Sequence, residues 1–247
     1  MSLPKISIIT VCFNAEKTIE RTIESVTNQT YENIEYLIID GQSCDQTLSI
    51  IENYKSNISK IISEPDSGIY NAMNKGIILS TGVYLLFLNA DDYLISTTVI
   101  ENYIAKISDS KDSDIFYGDI LIYNHHNGSG KIWKTHKNIS GKLLYNSTIP
   151  HPSTIFKRTI FEELGTYNES YKITADHEFY IKSFVNGKKF QHVDILTALF
   201  STGGVSTSDD NTKLIKLERS RAIEYHFTAY QRFILRIRVR LKKLINI

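Results

Sequence analysis

Four apolar runs of strand length occupy the first 93 residues, and three of them stop at loops that carry carboxylates. Residues 6–13 break at Asn14, residues 34–39 stop at Asp40-Gly-Gln-Ser-Cys-Asp45, residues 58–63 lead into Glu64-Pro-Asp-Ser-Gly68, and residues 83–88 end at Asn89-Ala-Asp-Asp92. Between them lie segments of helical period: Ile19, Ile23 and Val26 share one face, and Leu48, Ile51 and Tyr54 another, with Asp45 placed to cap. Strand and helix therefore alternate, which predicts a parallel α/β sheet whose polar loops gather along the C-terminal edge of the strands.

Beyond Tyr93 the alternation loosens. A helix is predicted over 97–107, a hairpin-like pair over 115–123 and 131–136 across Asn127-Gly-Ser-Gly130, a helix from Asp176 to about 186 ended by Gly187, and a strand over 190–200. Residues 201–211, rich in Gly, Ser, Thr and Asp, read as a linker. The division expected is 1–205 as one catalytic domain, with a nucleotide-binding part of about 1–93 and an acceptor-binding part of about 94–205, followed by a helical basic tail at 206–247.

Two cysteines among 247 residues exclude a disulfide framework and make a thiolate zinc site improbable, so a reducing cytoplasm is the expected compartment. The run at 6–13 is too short to span a bilayer and lacks the flanks of a signal peptide. The formal net charge of +1 hides a division: residues 213–247 carry ten Lys/Arg against two acids, a net +8, which leaves −7 on residues 1–212.

The acidic loops hold the chemistry. Val11-Cys-Phe-Asn-Ala-Glu16 follows the first strand without a glycine, and no Gly-Lys-Ser/Thr loop occurs, so cradling of phosphate by backbone amides is disfavoured. Bare carboxylates repel a diphosphate unless a divalent cation lies between them. Asn89-Ala-Asp91-Asp92, directly after a buried strand, is the natural seat for one, with Asp91 as ligand and Asp92 either a second acid or a cap for the next helix.

The order of Val11-Cys-Phe-Asn14, Asp40 to Asp45, Glu64-Pro-Asp-Ser-Gly-Ile-Tyr-Asn-Ala-Met-Asn-Lys-Gly76, Asn89-Ala-Asp-Asp92 and Ala175-Asp-His-Glu178 resembles the family 2 glycosyltransferases of GT-A fold, over roughly residues 4–205. The likeness is greatest to bacterial enzymes that assemble O-antigen, capsule or exopolysaccharide. The resemblance implies a Rossmann-like α/β fold with a mixed, mainly parallel sheet. It also implies a nucleotide-diphospho-sugar donor, commonly a UDP-sugar, and an inverting, metal-dependent transfer to a saccharide hydroxyl. Val11, Phe13 and Asp40 would then hold the base, Asp66 would lie near the nucleotide, Asn89 and Ala90 on the ribose side, and Asp91 on Mn2+ or Mg2+. Asp176 would be the catalytic base. Lys75 is a candidate for neutralising diphosphate against the alternative of a solvated helix lysine, and His151 and Glu178 are acceptor-side candidates, His151 against the alternative of a structural hydrogen bonder.

Three positions depart from the family pattern: a single Asp40 followed by Gly41, Asn89 in place of the first Asp of the metal motif, and Ala175 before Asp176 where Glu is frequent. The alternative function is a non-catalytic member that binds nucleotide or serves as a scaffold in the same pathway; retention of Asp91 and Asp176 argues for the enzyme.

In the tail, Tyr230, Phe233/Ile234, Ile237, Leu241 and Leu244/Ile245 form an apolar stripe on a helix, and Arg232, Arg236, Arg240 and Lys243 form another. The stripe either packs on the catalytic domain or a partner subunit, leaving oligomerisation open, or docks on the cytoplasmic face of an anionic inner membrane. The resemblance favours the membrane, where acceptors are commonly linked to polyprenyl diphosphate. Nucleic acid is not an expected partner, since basic residues with interleaved aromatics on a known module are lacking.

Overall fold

The computed structural model describes residues 3–108, 112–125, 127–204 and 209–245. In the N-terminal half, β1 (Ile6–Cys12), α1 (Ile19–Thr27), β2 (Ile34–Asp40), α2 (Thr47–Asn53), β3 (Lys60–Ser63), α3 (Ile69–Leu79) and β4 (Tyr84–Phe87) follow the expected alternation. The strands pair parallel in the order β3-β2-β1-β4. Their register aligns Cys12 with Asp40 and Asp40 with Ser63, so the loops after β1, β2 and β3 leave the sheet side by side.

The runs are apolar throughout because both faces are covered. Ile6, Ile8 and Cys12 join one core layer with Ile23, Ile38, Leu86 and Tyr103. Ile9 and Val11 join the opposite layer with Leu37, Phe87, Phe156 and Phe179. Strand alternation thus feeds two cores from one run. Gly76 lets α3 approach that second layer closely, since a Cβ there would come within 2.5 Å of Ile9 Cγ2.

The remaining elements are β5 (Tyr93–Leu94), α4 (Val99–Ser108), β6 (Ile115–Asn124), β7 (Ser129–Trp133), α5 (Gly141–Asn146), β8 (Thr154–Lys157), α6 (Thr159–Leu164), α7 (Ala175–Val185), β9 (Phe190–Ser201), α8 (Thr212–His226) and α9 (Ala229–Ile245). β8 is antiparallel to both β4 and β6, β6 is parallel to β9, and β5 is antiparallel to β9, which makes the sheet mixed. β6 is long enough to pair with β8 through Ile115–Tyr117 and with β7 through Ile120–Asn124.

The structure adds two details to the C-terminal region. Past the expected boundary at 205, α8 packs on α7 and Ala222 is buried in the second core layer; residues 205–208 of the expected linker lie outside the described residues. The described residues divide between the two readings left open for the α9 stripe, packing on the body or docking on a membrane: α9 touches α5 and α8, and Ile234 is half-buried. Leu235 is the buried side chain, Arg232 Nη1 donates to the carbonyls of Glu224 and Phe227, and Arg236 Nε donates to Tyr145 Oη. Tyr230, Phe233 and Ile237, on the opposite side, are 74%, 60% and 39% exposed. The side chains of Arg240, Leu241, Lys243, Leu244 and Ile245 lie outside the described residues.

Candidate active site

A cleft of about 650 Å3 opens along the C-terminal edge of the parallel strands. Its walls come from the β1 loop (Val11, Phe13), the β3 loop (Asp66), the β4 loop (Asn89, Ala90, Asp91), His151 and the start of α7 (Asp176). Eight of the residues singled out from sequence therefore share one cavity, although 165 positions separate the first from the last.

The β4 loop carries two acids, Asp91 half-buried and Asp92 fully buried. Burial raises the carboxyl pKa of Asp91, and burial together with the charge of Asp91 raises that of Asp92 well above the ordinary range. Asp92 Oδ1 accepts from the backbone amide of Ser201 at 3.2 Å, while Oδ2 is buried without a partner; Asp92 thus turns into the fold and does not cap a helix. Asn89 Oδ1 is likewise buried and without a partner. An unsatisfied buried acceptor costs about 1–3 kcal/mol, and Asn89 Oδ1 on the cavity wall, with Asp92 Oδ2 behind it, marks a place for a cation or a donor. No group of three or more His, Cys, Asp or Glu residues with metal-binding geometry exists among the described residues. A hard divalent cation fits even so, because such ions take one or two carboxylates and complete their shell with phosphate oxygens and water.

Asp66 Oδ1 accepts from the Gly68 amide at 2.8 Å, and Gly68 at φ +133° makes the turn into α3. Gly41 lies against the same carboxylate: a Cβ there would sit 2.5 Å from Asp66 Oδ2. The single Asp followed by glycine at the end of β2 thus has a steric reason, since a second acid would displace Asp66. Asp40 itself is buried behind the cleft floor. Its carboxylate accepts from Ser43 N and Oγ (3.0 and 2.5 Å), from Ser63 Oγ (2.7 Å) and from Cys12 Sγ (3.6 Å). It ties the turn after β2 to the ends of β1 and β3, and does not line the cavity.

At the other wall, Asp176 Oδ1 accepts from Tyr70 Oη at 3.1 Å, a hydroxyl that also lies 2.7 Å from the Ile173 carbonyl. Burial and the neighbouring Asp176 charge push the Tyr70 phenol well above its ordinary value, so it remains a donor. His151 stacks on Phe87 (5.1 Å between centroids, 16° between planes) and its Nε2 meets Tyr167 Oη at 2.9 Å. Burial holds its pKa below the usual histidine range, with the Asp176 charge opposing, which favours the neutral ring. His151 is thus both a structural hydrogen bonder and part of the cleft wall.

Two candidates besides Asp40 are not in the cavity. Lys75 Nζ lies 2.8 Å from Glu64 Oε1 and 2.8 Å from the Pro65 carbonyl, so its charge closes the β3 loop on itself. Glu178 is two residues past Asp176, a rotation of about 200° around a helix, and it pairs instead with His226 on α8.

Sequence reasoning passed over several residues that shape the site. In the segment 69–76, Tyr70 orients Asp176, while Asn74 bonds to the backbone of Tyr167 in both senses (2.9 Å each) and to Glu169 Oε1 (2.8 Å). Together with Gly76 on Ile9, these contacts show what the pattern does: α3 braces β1 against the chain leading into α7. From α8, Ile215 and Arg219, four residues apart and so on one helix face, also line the cleft. The charge pattern of α8 gave no signal that it reached the site.

An α/β sheet with carboxylate-bearing loops converging on one cleft is the architecture of a GT-A glycosyltransferase, and the solved structures it resembles have that fold. S. aureus TarS in complex with UDP-GlcNAc superimposes with a TM-score of 0.71 at 21% identity, over 89% of this chain and 66% of that one. The mannosyltransferase PcManGT from Pyrobaculum calidifontis, in complex with GDP-Man and Mn2+, gives 0.65 at 15% identity over 84% of this chain and 59% of that one. Residues 7–165 match the family described as Glycosyl transferase family 2, and the chain belongs to it. A curated relative, a PGL/p-HBAD biosynthesis glycosyltransferase of Mycobacterium bovis, is 30% identical over 222 residues, 87% of this chain and 84% of that protein. The chain is accordingly a glycosyltransferase.

Proposed function

We propose that this glycosyltransferase moves a sugar from a nucleotide-diphospho-sugar, a UDP-sugar in the first instance, to a saccharide hydroxyl with inversion at the anomeric carbon. The observation that carries this reading is the gathering of Asp66, Asp91 and Asp176 around one cavity from three distant loops. Val11 and Phe13 form the wall for the base, the exposed ring of Phe13 standing at the mouth, and Asn89 Oδ1 offers an acceptor to a ribose hydroxyl. Asp91, with Asp92 behind it, would hold Mn2+ or Mg2+, which offsets the charge growing on the departing diphosphate. Asp176, oriented by Tyr70, takes the proton of the acceptor hydroxyl as that oxygen attacks from the face opposite the diphosphate. One base suffices, because inversion needs no covalent glycosyl intermediate. His151 and the aromatic wall behind it limit water on the acceptor side.

The saccharide acceptor is read as linked to polyprenyl diphosphate, in the assembly of O-antigen, capsule or exopolysaccharide. The exposed Tyr230, Phe233 and Ile237 on a helix carrying five further Lys/Arg from Arg236 to Lys243 support peripheral contact with the cytoplasmic face of an anionic membrane. No helix among the described residues is long and apolar enough to cross one.

Calorimetry with UDP, GDP and their sugar conjugates, with and without Mn2+, tests the donor reading. One nucleoside diphosphate should bind more tightly in the presence of metal. Binding that ignores metal would remove the role given to Asp91, and binding of none would remove the donor reading.

A further inference from the structure

α8 lies outside residues 7–165 that match the family, yet two adjacent residues on it meet the working end of the protein in different ways. Glu218, 4% exposed, accepts from the backbone amides of Lys172 (2.5 Å), Ile173 (3.1 Å) and Thr174 (3.0 Å) and from Thr174 Oγ1 (3.1 Å). These are the groups that lead directly into Ala175 and Asp176. The clamp fixes both the height and the rotation of α8 against the start of α7. A step of one residue turns the next side chain by about 100°, and Arg219 thereby enters the cleft beside Ile215.

Arg219 is the sole Lys or Arg among the described residues lining that cavity, whose other charged walls are Asp66, Asp91 and Asp176. Its Nε is buried and has no hydrogen-bond partner among the described residues. Its charge also helps to keep the neighbouring His177, already disfavoured by burial, from protonating, which places the guanidinium near the first turn of α7. A guanidinium with an idle buried donor is costly unless something anionic completes it, and its planar fork matches two phosphate oxygens better than one hydroxyl.

We infer that Arg219 binds a diphosphate in this cleft, and so supplies the cation that Lys75, closed on Glu64 and Pro65, does not. Diphosphate reaches such a site from two sources, the nucleotide donor or the lipid end of the acceptor, and the shared chemistry is what Arg219 recognises. The inference rests on the donor reading above and deepens it. Glu218 is a positioning residue in this arrangement, and Arg219 touches the substrate.

The test compares wild type with Arg219→Gln and Arg219→Lys, titrated by calorimetry with UDP, GDP, uridine, guanosine and farnesyl diphosphate in the presence of Mn2+. Loss of a charge-assisted pair weakens a diphosphate by about 10- to 100-fold. If the donor diphosphate is the partner, Arg219→Gln should weaken UDP or GDP by that factor, leave the nucleoside unchanged, and regain part of the affinity in Arg219→Lys. If the acceptor is the source, the same loss should fall on farnesyl diphosphate instead. Unchanged binding of every diphosphate that wild type binds, with an unchanged melting temperature, overturns the role of Arg219 and leaves the donor reading standing. Equal weakening of nucleoside and diphosphate in both variants also overturns it, because the residue would then act on the shape of the site. If wild type binds none of these diphosphates, both readings fail.

Discussion

Replacing Glu218 by alanine removes one buried carboxylate and strands the backbone it serves. Of the three residues whose amides it satisfies, Thr174 is buried, Ile173 is half-buried and Lys172 is exposed. A buried amide without a partner costs about 1–3 kcal/mol, whereas one that reaches water costs little. Thr174 therefore contributes most of that range and Ile173 about half of it, with a further loss where α8 no longer seats on α7. Against this stands relief from holding a carboxylate in the interior. The net expectation is about 3 kcal/mol, which for a chain of this length lowers the melting temperature by roughly 6–12 °C. Glu218→Gln keeps one acceptor but turns an NH2 group toward amide donors, so it should recover less than half of the loss. Thermal unfolding followed by circular dichroism on the full chain measures both. A shift under about 2 °C for the alanine variant would show that these amides find other partners, and that the clamp does not hold α7.

Other perturbations probe the rest of the site. Gly41→Ala places a Cβ against Asp66 and should weaken nucleotide binding about ten-fold or more with little change in fold stability; calorimetry with the tightest nucleoside diphosphate checks it. Tyr70→Phe removes the donor that orients Asp176, and steady-state kinetics should show kcat lower by roughly ten-fold with the donor KM retained. Asp119 is buried, a cost overcome by hydrogen bonds from the Thr135 amide, Lys134, the Thr135 hydroxyl and His192, which together hold its carboxyl below the ordinary 3.8. Since the folded value is the lower one, its stabilisation is present above pH 3.8 and lost as pH falls toward the folded value. Denaturant melts from pH 6 downward should therefore show a shallower acid loss for Asp119→Asn than for wild type.

The first four strands were legible because a run buried on both faces is apolar at every position, and because each stops where the chain leaves the sheet. β8 was not: Thr154–Lys157 is four residues long and flanked by Ser153 and Arg158, so nothing in its period separates it from a loop. It is held by β4 on one side and β6 on the other, contacts that no local pattern records. Asp66, Asp91 and Asp176 could be placed from motif order. Asp40 was assigned to the base, yet its lone pairs are taken by Ser43, Ser63 and Cys12, a network visible only once β1, β2 and β3 lie side by side. Lys75 and Glu178 failed as cleft residues for geometric reasons, one closed on its own loop and the other on the far side of α7. Glu218 and Arg219 fell within the helical basic tail expected at 206–247, and neither was singled out. The partners of Glu218 lie 44 and more positions upstream, and a carboxylate that serves backbone amides leaves no charge pattern to find.

The assignment of proton removal to Asp176 is tested most directly by single-turnover transfer with Asp176→Asn, read beside calorimetry of the same variant with its nucleoside diphosphate. Nucleotide affinity should stay within a few-fold of wild type while the transfer rate falls by about 100- to 10,000-fold. Transfer at the wild-type rate, with the variant folded and nucleotide-bound, would contradict the account.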